Sequence, residues 1–139
     1  MPALSRNKGK SGEREVAGII SELTGWDVRR KVRQHDGDED LDGIPGWSAE
    51  SKRHKTANRG EVKAWWAQAH DQAIKTGRIP VLFYRKDRDE WRAVWPIAVN
   101  LGIQSAAMWK GYQWTVEGSL DAWSAQAREL VLRTEGQGG

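Results

Sequence analysis

Asp40, Glu50 and Lys52 are the residues whose types and spacing could do chemistry in this chain. Asp40 closes the acidic run Asp36-Gly37-Asp38-Glu39-Asp40. Ten residues later comes Glu50-Ser51-Lys52, followed at once by Arg53, His54 and Lys55. In an extended strand successive side chains alternate faces, so Glu50 and Lys52 point the same way. Hard oxygen donors such as Asp40 and Glu50 suit a divalent cation, Mg2+ with Mn2+ as its substitute. A phosphodiester attacked by water needs such a cation to hold its oxygens and lower the water's pKa. It also needs a positive donor near the water or the crowded phosphate, and Lys52 can be that donor. The pattern reads as metal-dependent hydrolysis of nucleic acid. The bland alternative is a surface strand with a glutamate and a lysine two residues apart, which arises often by chance.

The elements that would position these residues must come from a chain of 139 residues, enough for one domain with a real core. Hydrophobic residues make up 38% and charged residues 29%, the balance of a soluble globular protein. No apolar stretch reaches membrane-spanning length and no signal-peptide pattern opens the chain, so no membrane partner is expected. Cysteine is absent. That excludes disulfides and thiolate metal sites and fits a reducing cytoplasm, that of a bacterium or a phage-infected host. The three histidines, His35, His54 and His70, have no zinc-site spacing.

Net charge is +3, and its distribution says more than its size. Ser5 to Gln34 holds eight Lys/Arg against four acids, and Ser51 to Lys63 holds five against one. The acids between them crowd into residues 36–42. Positive charge thus flanks a negative knot, as a phosphate-binding surface around a cation site would. Taken singly, many of these cations are ordinary solvated side chains.

Periodicity predicts a helix over 11–24 through Val16, Ile19, Ile20 and Leu23, with Ser11 as its cap. Residues 1–9 read as a flexible basic arm, 10–134 as a single domain and 135–139 as a disordered tail. Trp26 to Arg33 reads as a strand with Trp26, Val28 and Val32 on one side, 35–43 as a loop, and Trp47 to His54 as a second strand. Glu61 to Lys75 reads as a helix burying Val62, Trp65, Trp66, Ala69 and Ala73, stopped at Gly77. Ile79 to Tyr84 is the apolar run of a strand buried on both faces. Trp91 to Trp95 returns as a strand, 112–116 as a short one, and Ser119 to Arg133 as a last helix. The order implies an α/β fold with a mixed central sheet flanked by helices.

The opening Lys8-Gly9-Lys10-Ser11-Gly12-Glu13-Arg14-Glu15 resembles the KGxxxERE start of archaeal-type Holliday-junction resolvases. The resemblance continues through Val28-Arg29-Arg30, Asp40 and Glu50-Ser51-Lys52. Gly43-Ile44-Pro45-Gly46-Trp47 is similar to a turn of small phage PD-(D/E)xK nucleases. Trp65-Trp66-Ala67-Gln68-Ala69 and then Pro80 to Arg85 with Trp91 match later parts of the same pattern. It covers residues 8–95. The resemblance implies a restriction-endonuclease-like core and a Mg2+-dependent endonuclease leaving a 5′-phosphate and a 3′-hydroxyl. It implies Asp40 and Glu50 as principal metal ligands, the Ser51 carbonyl as another, Glu13 near the metal and Lys52 acting on the water. Asp42 competes with Asp40 for its place, and only the motif prefers Glu13 to Glu15. Lys10, Arg14, Arg29, Arg30, Arg53 and Lys55 would grip the DNA backbone, and Gln68 could hydrogen-bond DNA. Such contacts position without reading sequence, so branched DNA is the expected substrate and a homodimer the expected form. Flap cutting, nicking and site-specific cutting compete with junction cutting.

Two other classes use the same residues. One is a non-catalytic DNA-binding protein with this basic surface. The other is a calcium loop opening at Asp38-Glu39-Asp40-Leu41-Asp42-Gly43, but its closing glutamate falls one residue late, at Glu50. Of the nine tryptophans, most belong to packing. Trp47, Trp109 and Trp114 are the least tied to any pattern and are candidates for stacking on bases or for a dimer interface.

Overall fold

The computed structural model of the chain describes residues 2–32, 39–103 and 106–138, with side chains described for 9–32, 39–103 and 107–132. Arg33, His35, Asp36 and Asp38 lie outside the described residues.

Helix α1 spans Pro2–Thr24. It begins well before Ser11, so the segment expected as an arm is helical backbone, and the apolar stripe occupies only its second half. Val16, Ala17 and Ile20 on that stripe are buried. Gly25, at φ 82°, ends the helix in the left-handed region that glycine tolerates. The Ser21 hydroxyl then fixes the exit, accepting from Val28 N at 3.0 Å and donating to Val28 O at 3.1 Å.

Strand β1 is only Arg29–Arg30, and it pairs antiparallel with β2, Leu41–Asp42. Among the described residues of the strand expected over Trp26 to Arg33, only Arg29 and Arg30 are strand. Val32 was expected beside Trp26 and Val28 on an inner side, but it is 80% exposed. One more backbone bond, Lys31 N to Asp40 O at 2.9 Å, follows the two-residue ladder before Val32 turns outward. Gly43, at φ 94°, lets β2 leave the pair beneath Asp27. A β-carbon at Gly43 would lie 2.2 Å from Asp27 O.

Strand β3, Trp47–His54, pairs antiparallel with β2 at one edge and parallel with β4, Ile79–Lys86, at the other. Parallel neighbours need a crossover, and helix α2, Arg59–Thr76, supplies it. Asn58 caps α2 in a capping box with Glu61, and Gly77 closes it at φ 67°. Strands β5, Arg92–Pro96, and β6, Thr115–Ser119, extend the sheet antiparallel, in the order β1-β2-β3-β4-β5-β6. Between them lie two short helices, α3 at Ile97–Asn100 and α4 at Ala106–Lys110, and a 3₁₀ turn at Tyr112–Trp114. The last strand therefore starts three residues later than the sequence pattern predicts, because Tyr112–Trp114 coils first. Helix α5 runs Leu120–Gly138 and takes in most of the segment expected as a disordered tail.

The sheet is buried on both faces. On one, Trp47 and Ala49 of β3, Val81 and Phe83 of β4 and Ala93 of β5 pack with α1 and with Leu120, Trp123 and Ala127 of α5. On the other, Leu82 and Val94 meet Val62, Trp66 and Ala69 of α2. The result is a three-layer helix–sheet–helix sandwich with a mixed sheet, the architecture the element order implies. Trp47 is not a free aromatic. It is 2% exposed and meets Trp123 edge to face at 5.3 Å, while Phe83 meets Trp123 at 4.9 Å.

Candidate active site

Strand β3 carries the site because its two faces and one edge do different work. Alternation sends Trp47 and Ala49 into the α1/α5 core and turns Glu50, Lys52 and His54 toward α2. At its edge away from β4, β3 meets β2 through the Leu41–Ala49 pair, and the Asp40 amide donates to Ala49 O at 2.9 Å. Asp40 stands there, just before β2. Its Oδ2 accepts the Ser51 amide at 2.9 Å. That bond holds the aspartate against β3 and brings it to Glu50.

The two acids lie together. Glu50 is 3% exposed, its Oε1 is 3.3 Å from Lys52 Nζ, and it accepts from Gln68 Nε2 at 3.2 Å. Burial and then the Glu50 carboxylate push the Asp40 carboxyl up to about 8, against the pull of the Ser51 amide and Lys52. Burial also raises Glu50, while Lys52, Asp40 and Gln72 pull it back. With both acids ionised, buried Glu50 Oε2 has no hydrogen-bond partner. Two desolvated carboxylates with an unsatisfied oxygen are costly unless a cation joins them. The donor set is all oxygen, which fits a hard divalent ion.

The cleft around them has a volume of about 520 Å3 and is lined by Gly9, Glu13, Asp40, Glu50, Ser51, Lys52, Arg53, His54, Lys55 and Gln68. Among the described residues no three His, Cys, Asp or Glu side chains converge as a metal cluster. Asp40 and Glu50 meet, whereas Glu13 lines the cleft with its Oε2 held by Arg30 Nε at 2.7 Å. The choice between Glu13 and Glu15, open in the sequence, is separated in space. Glu15 accepts from Trp91 Nε1 at 2.7 Å and from Arg85, with Arg53 Nη1 at 3.5 Å. Arg85 and Trp91 therefore clamp α1 to the sheet through Glu15. Asp42 is exposed in β2, while Asp40 is the acid that reaches Glu50.

The cations sort into two groups. Arg30 and Arg53 hold Glu13 and Glu15, and Arg29 pairs with Asp27 at 3.0 Å on the surface. Lys10, Arg14 and Lys55 are exposed and no ion pair engages them among the described residues. Of the string Asp38 to Gly43 that outlines a calcium loop, Leu41–Asp42 form strand β2. Its Glu39 is spent on Lys31 at 3.7 Å and Arg78 at 3.3 Å.

Gln72 was missed. It is buried beside Glu50, one helical turn after Gln68. The i, i+4 spacing of two glutamines on α2 was the available signal. Gly12 was read only as part of a motif. A β-carbon there would lie 3.0 Å from Arg53 Cβ, so the glycine lets α1 approach β3 closely.

A mixed sheet that brings two acids and a lysine together at one strand defines the PD-(D/E)xK class of nucleases. The chain belongs to a phage family of that class: the family model described as "Phage putative PDDEXK endonuclease" matches residues 4–118. It is accordingly a nuclease. No curated protein matches the chain. Among solved structures it is similar to Hjc, a Holliday junction resolvase from the archaeal hyperthermophile Archaeoglobus fulgidus. Identity is 20%, the match covers 62% of this chain and 70% of that one, and the TM-score is 0.45.

Proposed function

We propose that the chain is a Mg2+-dependent DNA endonuclease acting on branched DNA, with Mn2+ able to replace Mg2+. The observation that carries this is the pairing of half-buried Asp40 with buried Glu50, with Lys52 3.3 Å from Glu50. Asp40, Glu50 and the Ser51 carbonyl would hold the ion, with Glu13 supporting it or a second ion. When bound, the ion supplies charge stabilisation to the phosphate oxygens and acidifies the attacking water. Lys52, fixed by Glu50, orients that water and offers positive charge where negative charge grows. Gln68 and Gln72 keep the Glu50 carboxylate aimed into the cleft. The water oxygen bonds to phosphorus as the bond to the 3′ oxygen breaks, leaving a 5′-phosphate and a 3′-hydroxyl.

Lys10, Arg14 and Lys55 contact backbone phosphates around the cleft, while Arg29 is held by Asp27 and Arg30 and Arg53 place α1 by holding its glutamates. Support for a branched substrate comes from the resemblance of the Lys8 to Glu15 opening to that of the junction resolvases. A homodimer would set two clefts on a nearly two-fold junction, in the cytoplasm of a bacterium or phage-infected cell.

The test is a panel of four-way, flap, duplex and single-stranded DNAs incubated with Mg2+. Paired symmetric nicks concentrated on the four-way substrate are expected. Mg2+-dependent cutting indifferent to branching would end the junction reading, and no cutting of any DNA would end the nuclease reading for this chain.

A further inference from the structure

An aromatic track leaves the cleft along α2 and ends in a second groove. His54, on the cleft wall, lies over Trp65 with ring centroids 4.8 Å apart. Trp65 in turn lies 6.0 Å from Tyr84. Tyr84 and Tyr112 both pack against the small core under α2. Tyr112 then opens into a groove of about 390 Å3 between α2, α4 and the 3₁₀ turn, walled by Lys63, Trp66, Lys110 and Trp114.

This groove is built and braced. Trp66 Nε1 donates to Lys110 O at 3.1 Å, tying the α4 segment to α2, and Thr115 Oγ1 donates to Tyr112 O at 2.6 Å. Yet Trp114, a large aromatic at its mouth, is 47% exposed. Trp114 is among the tryptophans that no sequence pattern assigns to packing. Lys63 and Lys110 are exposed on either side, and Arg59 is close enough to act on the Tyr112 hydroxyl. Glu117, an acid beside the track, is already engaged by Tyr84 at 2.7 Å and Arg92 at 3.8 Å. Every base has a flat π-face and every nucleotide a phosphate, so aromatic rings interleaved with cations suit an unpaired strand. A duplex keeps its bases stacked on one another and cannot use the rings.

We propose that the groove at Tyr112 and Trp114 seats an unpaired DNA strand of the substrate, bases stacked on those rings and phosphates met by Arg59, Lys63 and Lys110. The inference rests on the nuclease reading and adds that a strand left unpaired at a branch point is held beside the cut. His54 and Trp65 would carry the strand on to the cleft.

The test uses the full chain in a Lys52→Ala background, so that binding is read without cutting. Affinities for a labelled oligo-dT, a forked duplex and a blunt duplex are compared for Trp114→Ala, Trp114→Phe and Lys110→Glu. Loss of one stacking ring should lower affinity for oligo-dT about tenfold. The forked duplex should lose its advantage over the blunt one, and Trp114→Phe should restore most of it. Lys110→Glu should weaken oligo-dT binding and flatten its salt dependence. Unchanged oligo-dT affinity in folded Trp114→Ala and Lys110→Glu overturns the proposal. So does a change only in oligomeric state by light scattering, which would make the groove a contact between copies. Wild type that cuts no DNA with Mg2+ refutes the nuclease reading instead, whatever these affinities are.

Discussion

Glu50 can stay ionised at 3% exposure only with positive charge beside it, and Lys52 at 3.3 Å is that charge. Replacing Lys52 by alanine removes both the donor at the water and the partner of Glu50. Cleavage should fall by about 100-fold or more, the scale of losing one preorganised charge at a reacting centre. DNA affinity should barely move, and a gel-shift assay in Ca2+ or EDTA checks it. Parallel loss of binding would recast Lys52 as a phosphate-binding residue. Asp40 carries the pH dependence. Its folded pKa, about 8, lies above the ordinary 3.8, so the folded chain holds the extra proton between those values. Stability of the metal-free protein is then full in acid and declines as pH rises from about 4 toward about 8, flattening beyond. Asp40→Asn should abolish that decline while also abolishing cutting. Urea unfolding in EDTA at about pH 5 and about pH 8.5 measures it. Equal wild-type stability at the two pH values would mean the acids do not share a desolvated site.

Helix α2 and the β1–β2 pair present these residues, and each has one weak point. Asn58 caps α2, the helix that brings Gln68 and Gln72 to Glu50. Asn58→Ala should cost about 1 kcal/mol, seen as a lower denaturation midpoint with an unchanged slope. Gly43→Ala should cost more. It combines a left-handed φ of 94° with a β-carbon 2.2 Å from Asp27 O, and relief of that clash moves β2 and with it Asp40. Cleavage by Gly43→Ala should therefore drop even where the protein still folds. A Gly43→Ala protein with wild-type stability and cutting rate would show that β2 does not position the acid. The sequence made α2 legible because its apolar positions and its stop at Gly77 are local signals, while its start at Arg59 behind the Asn58 cap was read two residues late. Residues 47–54 were legible as a strand despite low apolar content, and the charged face is now explained: it looks into the cleft. The two-residue strands were not legible, since two residues leave no periodicity to read. Nor was the partition of Glu13 from Glu15, which depends on Arg30, Arg85 and Trp91 arriving from three distant segments.

Across the whole molecule, net charge understates how the cleft would meet DNA. The total is only +3, but several bases are already neutralised by acids, including Arg29, Arg30, Arg53 and Arg85. The cations left to face phosphates beside the cleft are concentrated: Lys10 and Arg14 on one turn of α1, and Lys55 just past β3. A surface of this kind binds by releasing condensed counterions, so affinity falls with salt in proportion to the phosphates neutralised. Removing one cation from a duplex phosphate should reduce the slope of log affinity against log salt by about 0.9. Changing Lys10, Arg14 and Lys55 together to alanine should thus flatten the slope by about 2 to 3 while leaving the melting curve intact, because none of the three bears on the core. The triple variant should also lose affinity evenly for blunt, forked and four-way DNA, since backbone phosphates are common to all three. Changes at Trp114 should separate those substrates without flattening the duplex slope. A triple variant whose salt slope matches wild type would move the duplex footprint away from this end of α1 and β3, and with it the path by which a scissile phosphate reaches Glu50.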